Sequence, residues 1–209
     1  MNASMWLKAL RVIPRIDKAE WDALDIISRW LISTRAAVLI MTFISAALAG
    51  IFAWRDGSFH LGRWVLLAVG LVFAHATNNL INDLTDHQRG VDKNNYFRTQ
   101  YGPQPLEQGL LTIRTLLVYI AVTGLIAVAA GLPLVIQGGS IALWLMIAGV
   151  VFVLFYTFPL KYIGMGEIAV LIIWGPLMVG GGYYVVSGAW DWNVVWASLP
   201  YALGPTTVL

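Results

Sequence analysis

The stretch His75-Ala76-Thr77-Asn78-Asn79-Leu80-Ile81-Asn82-Asp83-Leu84-Thr85-Asp86 holds the residues best able to do chemistry. At about 100° per residue, His75, Asn79, Asn82, Asp83 and Asp86 share one sector of a helix roughly 100° wide. Asn79 and Asp83 are one turn apart, as are Asn82 and Asp86, so their amide and carboxylate oxygens can converge. Oxygen donors of this kind suit magnesium, which takes one or two carboxylates and leaves its other positions to water and substrate phosphates. Two such ions would neutralise a diphosphate. Arg89, Lys93 and Arg98 follow, and their side chains can hold diphosphate oxygens. Each group has a plainer reading. The acids can be a hydrated helix end, His75 a hydrogen-bonded interhelical histidine, and the cations topology signals.

The elements that position this cluster follow from composition. Of 209 residues, 59% are hydrophobic and 11% charged, against roughly a quarter charged in soluble domains. The apolar residues form long runs, and about 20 helical residues cross a ~30 Å bilayer core. Spans are expected at about 36–54, 64–82, 115–136, 141–159, 167–187 and 193–209. Barrel strands alternate in polarity, whereas Ile141 to Phe158 is apolar on nearly every face. The expected fold is therefore an all-α, polytopic transmembrane bundle of about six spans. There is no cysteine, which excludes disulfides and thiolate metal sites.

Lys8, Arg11, Arg15 and Lys18 precede acidic residues rather than an apolar signal region, so no cleaved leader is expected. Between Ile16 and Leu31, apolar Ala23, Leu24, Ile27, Trp30 and Leu31 recur at helical spacing and predict a cytoplasmic interfacial helix within residues 1–35. With the N-terminus cytoplasmic, Lys8, Arg11, Arg15, Lys18, Arg29, Arg35, Arg89, Lys93, Arg98, Arg114 and Lys161 fall on that side, leaving Arg55 and Arg63 opposite. The positive-inside rule favours this arrangement in a bacterial-type cytoplasmic membrane. Trp54, Trp64, Trp190 and Trp192 then mark the outer interface. The long polar connection from Asp83 to Arg114 is the natural place for function. Residues 1–209 read as one membrane unit. The last run, Val194 to Leu209, would make only ~24 Å of helix, and the chain is expected to be C-terminally incomplete.

Asn82-Asp83-Leu84-Thr85-Asp86-His87-Gln88-Arg89-Gly90-Val91-Asp92 resembles the first aspartate-rich motif of the UbiA superfamily of intramembrane prenyltransferases. The likeness is greatest to the MenA-like branch, which prenylates 1,4-dihydroxy-2-naphthoate. Pro105-Leu106-Glu107-Gln108-Gly109-Leu110 resembles the loop after that motif, and Leu160-Lys161-Tyr162-Ile163-Gly164-Met165-Gly166-Glu167 the segment before the fifth span. The resemblance covers about residues 78–188. It implies a magnesium-dependent prenyltransferase in quinone biosynthesis, with menaquinone the product for that branch, and with prenyl diphosphate and an aromatic acceptor as substrates. Asp83, Asp86 and Asp92 would be catalytic, and with Asn82 would hold Mg2+. Asn79, Asn82, Arg89, Lys93, Arg98, Tyr156 and Lys161 would bind substrate. Glu167 begins the fifth span, either as a charge that complements its dipole or as part of the site. Gln104 departs from the arginine common before Pro-Leu in relatives, so one expected diphosphate contact is either absent or supplied by Arg98. The family's second aspartate-rich motif would come just beyond the sixth span, after the last residue here.

Two other readings stand beside this one. Asn/Asp residues and a helix interrupted at Trp174-Gly175-Pro176 also suit an ion-coupled transporter, and an inactive membrane fragment is the third. Lipid is an expected partner and nucleic acid is not.

Overall fold

A computed structural model describes residues 2–91 and 102–207. Among the described residues there are helices and no strand, as the uninterrupted apolar runs require. The N-terminal helices are α1 (Ala3–Arg11), α2 (Lys18–Asp22) and α3 (Ile26–Ser33). A tight turn, Ala36–Val38, leads into α4 (Leu39–Arg55), followed by α5 (Leu61–Gln88) and α6 (Ile113–Phe155). Wider and tighter turns over Tyr156–Leu160 and Lys161–Ile163 precede α7 (Gly166–Ile172). The chain then runs through a widened stretch, Ile173–Gly180, into α8 (Gly181–Ser187), and α9 (Trp192–Thr206) follows.

Four helical runs among the described residues are long and apolar enough to cross a membrane: Ala36–Arg55, Leu61–Gln88, Ile113–Ile163 and Gly166–Ser187. The expected six differ for two reasons. Spans 115–136 and 141–159 belong to one run, divided at Gly139, whose φ of 65° and ψ of −150° are not helical. An unbroken 43-residue helix would be about 65 Å long, twice the bilayer core. The last helix, α9, has 15 described residues, about 22 Å, which falls short of a crossing. The single interfacial helix expected over 16–31 is also two, α2 and α3, with Asp17 and Asp25 as their N-caps. Of its apolar face, Leu24 and Leu31 are buried, whereas Ala23 and Ile27 are exposed.

The residues gather into two compact units, Met1–Ile40 with Ala76–Thr123, and Met41–His75 with Gly124–Leu209. In the first, Leu80, Leu106, Leu116 and Tyr119 form the core, with Trp30, Leu84, Leu111 and Ile120 packed against it. Trp30 Nε1 donates to Thr123 Oγ1 at 3.1 Å, satisfying its polar edge inside that cluster. Asp25 ties the N-terminal helices together. Its carboxylate accepts from Ser28 N at 2.9 Å, Asn2 N at 2.7 Å and Trp6 Nε1 at 3.0 Å. These bonds, the one from the Ser28 amide foremost, lower its pKa to about 2. Gly102, at φ +136°, allows Ile13 to pack on the backbone, since a Cβ there would stand 2.4 Å from Ile13 Cγ2.

In the second unit Ala49, Ala53, Leu67, Leu134, Val179, Tyr183, Val186 and Val194 form the core. Lipid is as apolar as a leucine side chain, so close packing must supply cohesion. α9 lies against Ile173–Gly180 and α7. Glycine makes the approach possible: a Cβ on Gly180 would lie 2.8 Å from Val195 Cγ2. Polar groups are paired within the bundle. Trp64 Nε1 donates to Ala46 O at 2.9 Å, Tyr201 donates to Met41 O, and Tyr183 donates to Asp56 Oδ2 at 3.0 Å.

Candidate active site

The C-terminal turns of α5 carry the polar face into the first unit. Asp83 and Asp86 are 3% and 1% exposed, and Asn79 and Asn82 are half-buried. Buried carboxylates are expensive unless compensated, and the structure shows one source of compensation. Arg35 Nη2 lies 3.6 Å from Asp83 Oδ1. One turn earlier, Asn79 Nδ2 donates to Thr34 O at 2.8 Å. Two consecutive residues at the end of α3 thus engage two residues one turn apart on α5.

Arg35 reaches that position through an unusual backbone. It has φ 53° and ψ 54°, the one non-glycine with positive φ among the described residues. The left-handed conformation terminates α3, where Arg35 N donates to Ile32 O at 3.0 Å. Glycine normally occupies such a position, and an L-residue costs about 1–2 kcal/mol there. In the sequence Arg35 stands only as a topology charge. The signal that marks it is a cation at the start of an apolar run.

The loop after the aspartates is folded onto the same unit. Gln104–Leu110 closes on itself through Gln108 N to Gln104 O at 2.9 Å and Leu110 N to Pro105 O at 2.8 Å. Leu106 and Leu110 are buried, and Gln104 is 3% exposed. Beside it, His87 Nδ1 and Glu107 Oε2 are 3.1 Å apart, joining the end of α5 to this loop. Arg89 is exposed just past the helix.

Of the residues singled out by sequence, Asn79, Asn82, Asp83, Asp86 and Arg89 share the first unit. Asp92, Lys93 and Arg98 lie outside the described residues. Tyr156 and Lys161 belong to the second unit, with Tyr156 half-buried at the start of the widened Tyr156–Leu160 turn and Lys161 exposed. Glu167 is exposed in the first turn of α7. His75 also belongs to the second unit. Its Nδ1 is 2.7 Å from Thr42 Oγ1, and its ring meets Trp174 edge-on at 5.3 Å. These contacts are those of a hydrogen-bonded interhelical histidine.

Among the described residues no three His, Cys, Asp or Glu side chains are grouped to hold a metal ion. The donor chemistry still fits a hard cation: Asp83 and Asp86 supply two carboxylates and Asn82 an amide, all oxygen ligands. Two protein carboxylates suffice when substrate phosphates and water complete the shell.

Fold and site define an all-α integral membrane protein with two buried carboxylates at the end of a long apolar helix, beside a folded polar loop. The model of the UbiA prenyltransferase family matches residues 43–208, and the chain belongs to that family. It is similar to the UbiA prenyltransferase domain-containing protein 1 homolog of Drosophila melanogaster, 27% identical over 83% of this chain and 48% of the relative. The 1,4-dihydroxy-2-naphthoate octaprenyltransferase of Escherichia coli is 27% identical over 75% of this chain and 53% of its own length. The 2-carboxy-1,4-naphthoquinone phytyltransferase of Synechocystis is 28% identical over 83% and 54%. The chain thus spans about half the length of these curated relatives. No solved structure matches the chain significantly.

Proposed function

We propose that this chain carries the first aspartate-rich motif of a prenyltransferase that moves a prenyl group from a prenyl diphosphate to an aromatic acceptor. The observation that carries the reading is the burial of Asp83 and Asp86 together near the end of α5 in a chain of this family. A 1,4-dihydroxy-2-naphthoate-type acceptor is supported by the names of the Escherichia coli and Synechocystis relatives, and such an acceptor would give the chain a place in menaquinone biosynthesis.

The reaction breaks the allylic carbon–oxygen bond, and the electron pair leaves with diphosphate. An electron-rich ring carbon attacks the resulting carbocation to form a carbon–carbon bond, then sheds a proton or carbon dioxide to restore aromaticity. Asn82, Asp83 and Asp86, joined by Asp92, would hold Mg2+, which when bound supplies the positive charge that neutralises the leaving diphosphate. Asn79 holds the helix end through Thr34, and Arg35, 3.6 Å away, orients Asp83. Arg89, Lys93 and Arg98 are the cations for diphosphate oxygens. Tyr156 and Lys161 would orient the acceptor or diphosphate, as the family resemblance implies. Water exclusion by the surrounding apolar helices protects the cation and strengthens each charge interaction. The active-site mouth and N-terminus are cytoplasmic, as the lysine and arginine distribution favours.

The test is Asp86→Asn in the protein reconstituted in liposomes. Magnesium-dependent prenyl diphosphate binding, measured by calorimetry, should weaken about 10–100-fold, the range seen when even outer partners of a bound metal are removed. Prenyl transfer should fall at least as far, with membrane insertion unchanged. Wild-type binding and turnover would reject the role of this face.

A further inference from the structure

The N-terminal helix carries a surface that prenyl transfer does not use. α1 packs against α3 and against the turn Ala36–Val38, which begins the first membrane run. A helix is about 10 Å across, and each headgroup layer is about 5–8 Å deep. A helix touching the first turn of a span therefore lies at headgroup level rather than free in the cytosol.

The side of α1 turned away from α3 is divided in two. Ala3, Leu7 and Leu10 occur at i, i+4 and i+7 and form one edge, with Leu7 58% and Leu10 50% exposed. Lys8 and Arg11, three residues apart and both exposed, form the adjoining edge. α1 contains no acid, and the first acidic residue of the chain is Asp17, after Arg15. The inner side is anchored: Ala9 is 1% exposed, and Trp6 and Asn2 are held by Asp25. The outer surface is thus presented in a fixed orientation, with apolar side chains beside cations.

We propose that this face of α1 binds anionic phospholipid, with Leu7 and Leu10 in the upper acyl region and Lys8 and Arg11 on the headgroup phosphates. Charge sign selects the partner, because the cytoplasmic leaflet is anionic and each nearby Lys or Arg contributes about fivefold to its attraction. The apolar edge accounts for the rest of the contact. This inference rests on the membrane runs and stands independently of the proposed transferase activity.

The native chain lacks cysteine, so a single environment-sensitive fluorophore can be placed at Leu10→Cys and, for comparison, at exposed Asp22→Cys. The full chain is reconstituted into phosphatidylcholine vesicles with or without phosphatidylglycerol. With phosphatidylglycerol, the probe at position 10 should be quenched by lipids carrying a nitroxide near the headgroup and shielded from aqueous iodide, whereas position 22 should show the reverse. Adding Lys8→Glu and Arg11→Glu should raise iodide access at position 10 severalfold in the anionic vesicles and change little in phosphatidylcholine. Equal iodide access at both positions would overturn the proposal. Shielding of position 10 from both quenchers would also overturn it, by showing that protein covers the face. Lipid quenching that is identical in both vesicle types and indifferent to the charge reversals would overturn the anionic selectivity.

Discussion

Replacing Arg35 with glycine separates two effects that usually travel together. The backbone at position 35 is left-handed, so glycine should relieve about 1–2 kcal/mol of conformational cost. The same change removes the cation 3.6 Å from a carboxylate that is 4% exposed. At an effective dielectric of 20, two unit charges at that distance interact by about 5 kcal/mol before desolvation, and removing one partner of a buried pair costs about 3–5 kcal/mol. The side chain of Arg35 is 26% exposed, which places the loss at the lower end of that range. The net expectation is destabilisation by about 1–3 kcal/mol even though the backbone favours glycine.

The assay is a double-mutant cycle of Arg35→Gly and Asp83→Asn, with unfolding followed by denaturant titration in mixed micelles. Asp83→Asn alone leaves Arg35 near a neutral amide, while the double variant removes both charges and keeps the glycine benefit. A coupling energy of at least about 1 kcal/mol is expected, within the range for residues in direct contact. Prenyl transfer should remain low in the double variant, because restored stability does not restore a carboxylate. Coupling below about 0.5 kcal/mol, the scatter of independent sites, would refute the pairing. An Arg35→Gly variant more stable than the parent would show that backbone strain outweighs the ion pair.

Three further outcomes follow from other parts of the molecule. Gly180→Ala would place a methyl group 2.8 Å from Val195 Cγ2 and should destabilise the second unit by about 1–3 kcal/mol, read as an earlier unfolding midpoint; no shift would mean α9 does not pack there. Asp25 has its pKa lowered from 3.8 to about 2, so its contribution is fully present above pH ~4 and is lost as pH falls through ~2. A fluorophore at Ala3→Cys should accordingly report release of α1 over that window and a flat response from pH 5 to 7; a transition near neutrality would contradict this. For topology, an impermeant thiol reagent outside intact cells should label Trp192→Cys and spare Gln108→Cys, and the reverse pattern would invert the orientation.

What was legible in the sequence was whatever periodicity and composition dictate. The all-α membrane fold follows from apolar runs in which every backbone polar group must be bonded within its own segment. The shared face of Asn79, Asn82, Asp83 and Asp86 follows from helical spacing, and their placement in one unit agrees with it. His75 satisfied the same angular test, yet its partners are Thr42 and Trp174, because one further turn along α5 brings different neighbours. Hydropathy also could not reveal that Gly139 divides one helical run, or that Asp25 caps a second helix within residues 16–31. Both depend on local backbone geometry and hydrogen bonds, to which an apolar window is blind.

Arg35 shows most clearly why part of the site stayed hidden. Its one-dimensional description, a basic residue ahead of an apolar run, is shared by many topology signals. Its contact with Asp83 requires the chain to leave α3 through a left-handed residue and enter the next helix at once. Glycine would make that turn at lower conformational cost, so the side chain must contribute something the turn does not. Beside a buried carboxylate, that contribution is charge compensation. The aspartate face is therefore not a property of α5 alone: its electrostatics depend on the end of a helix some 50 residues earlier in the chain, and a substitution there should change the motif without touching its sequence.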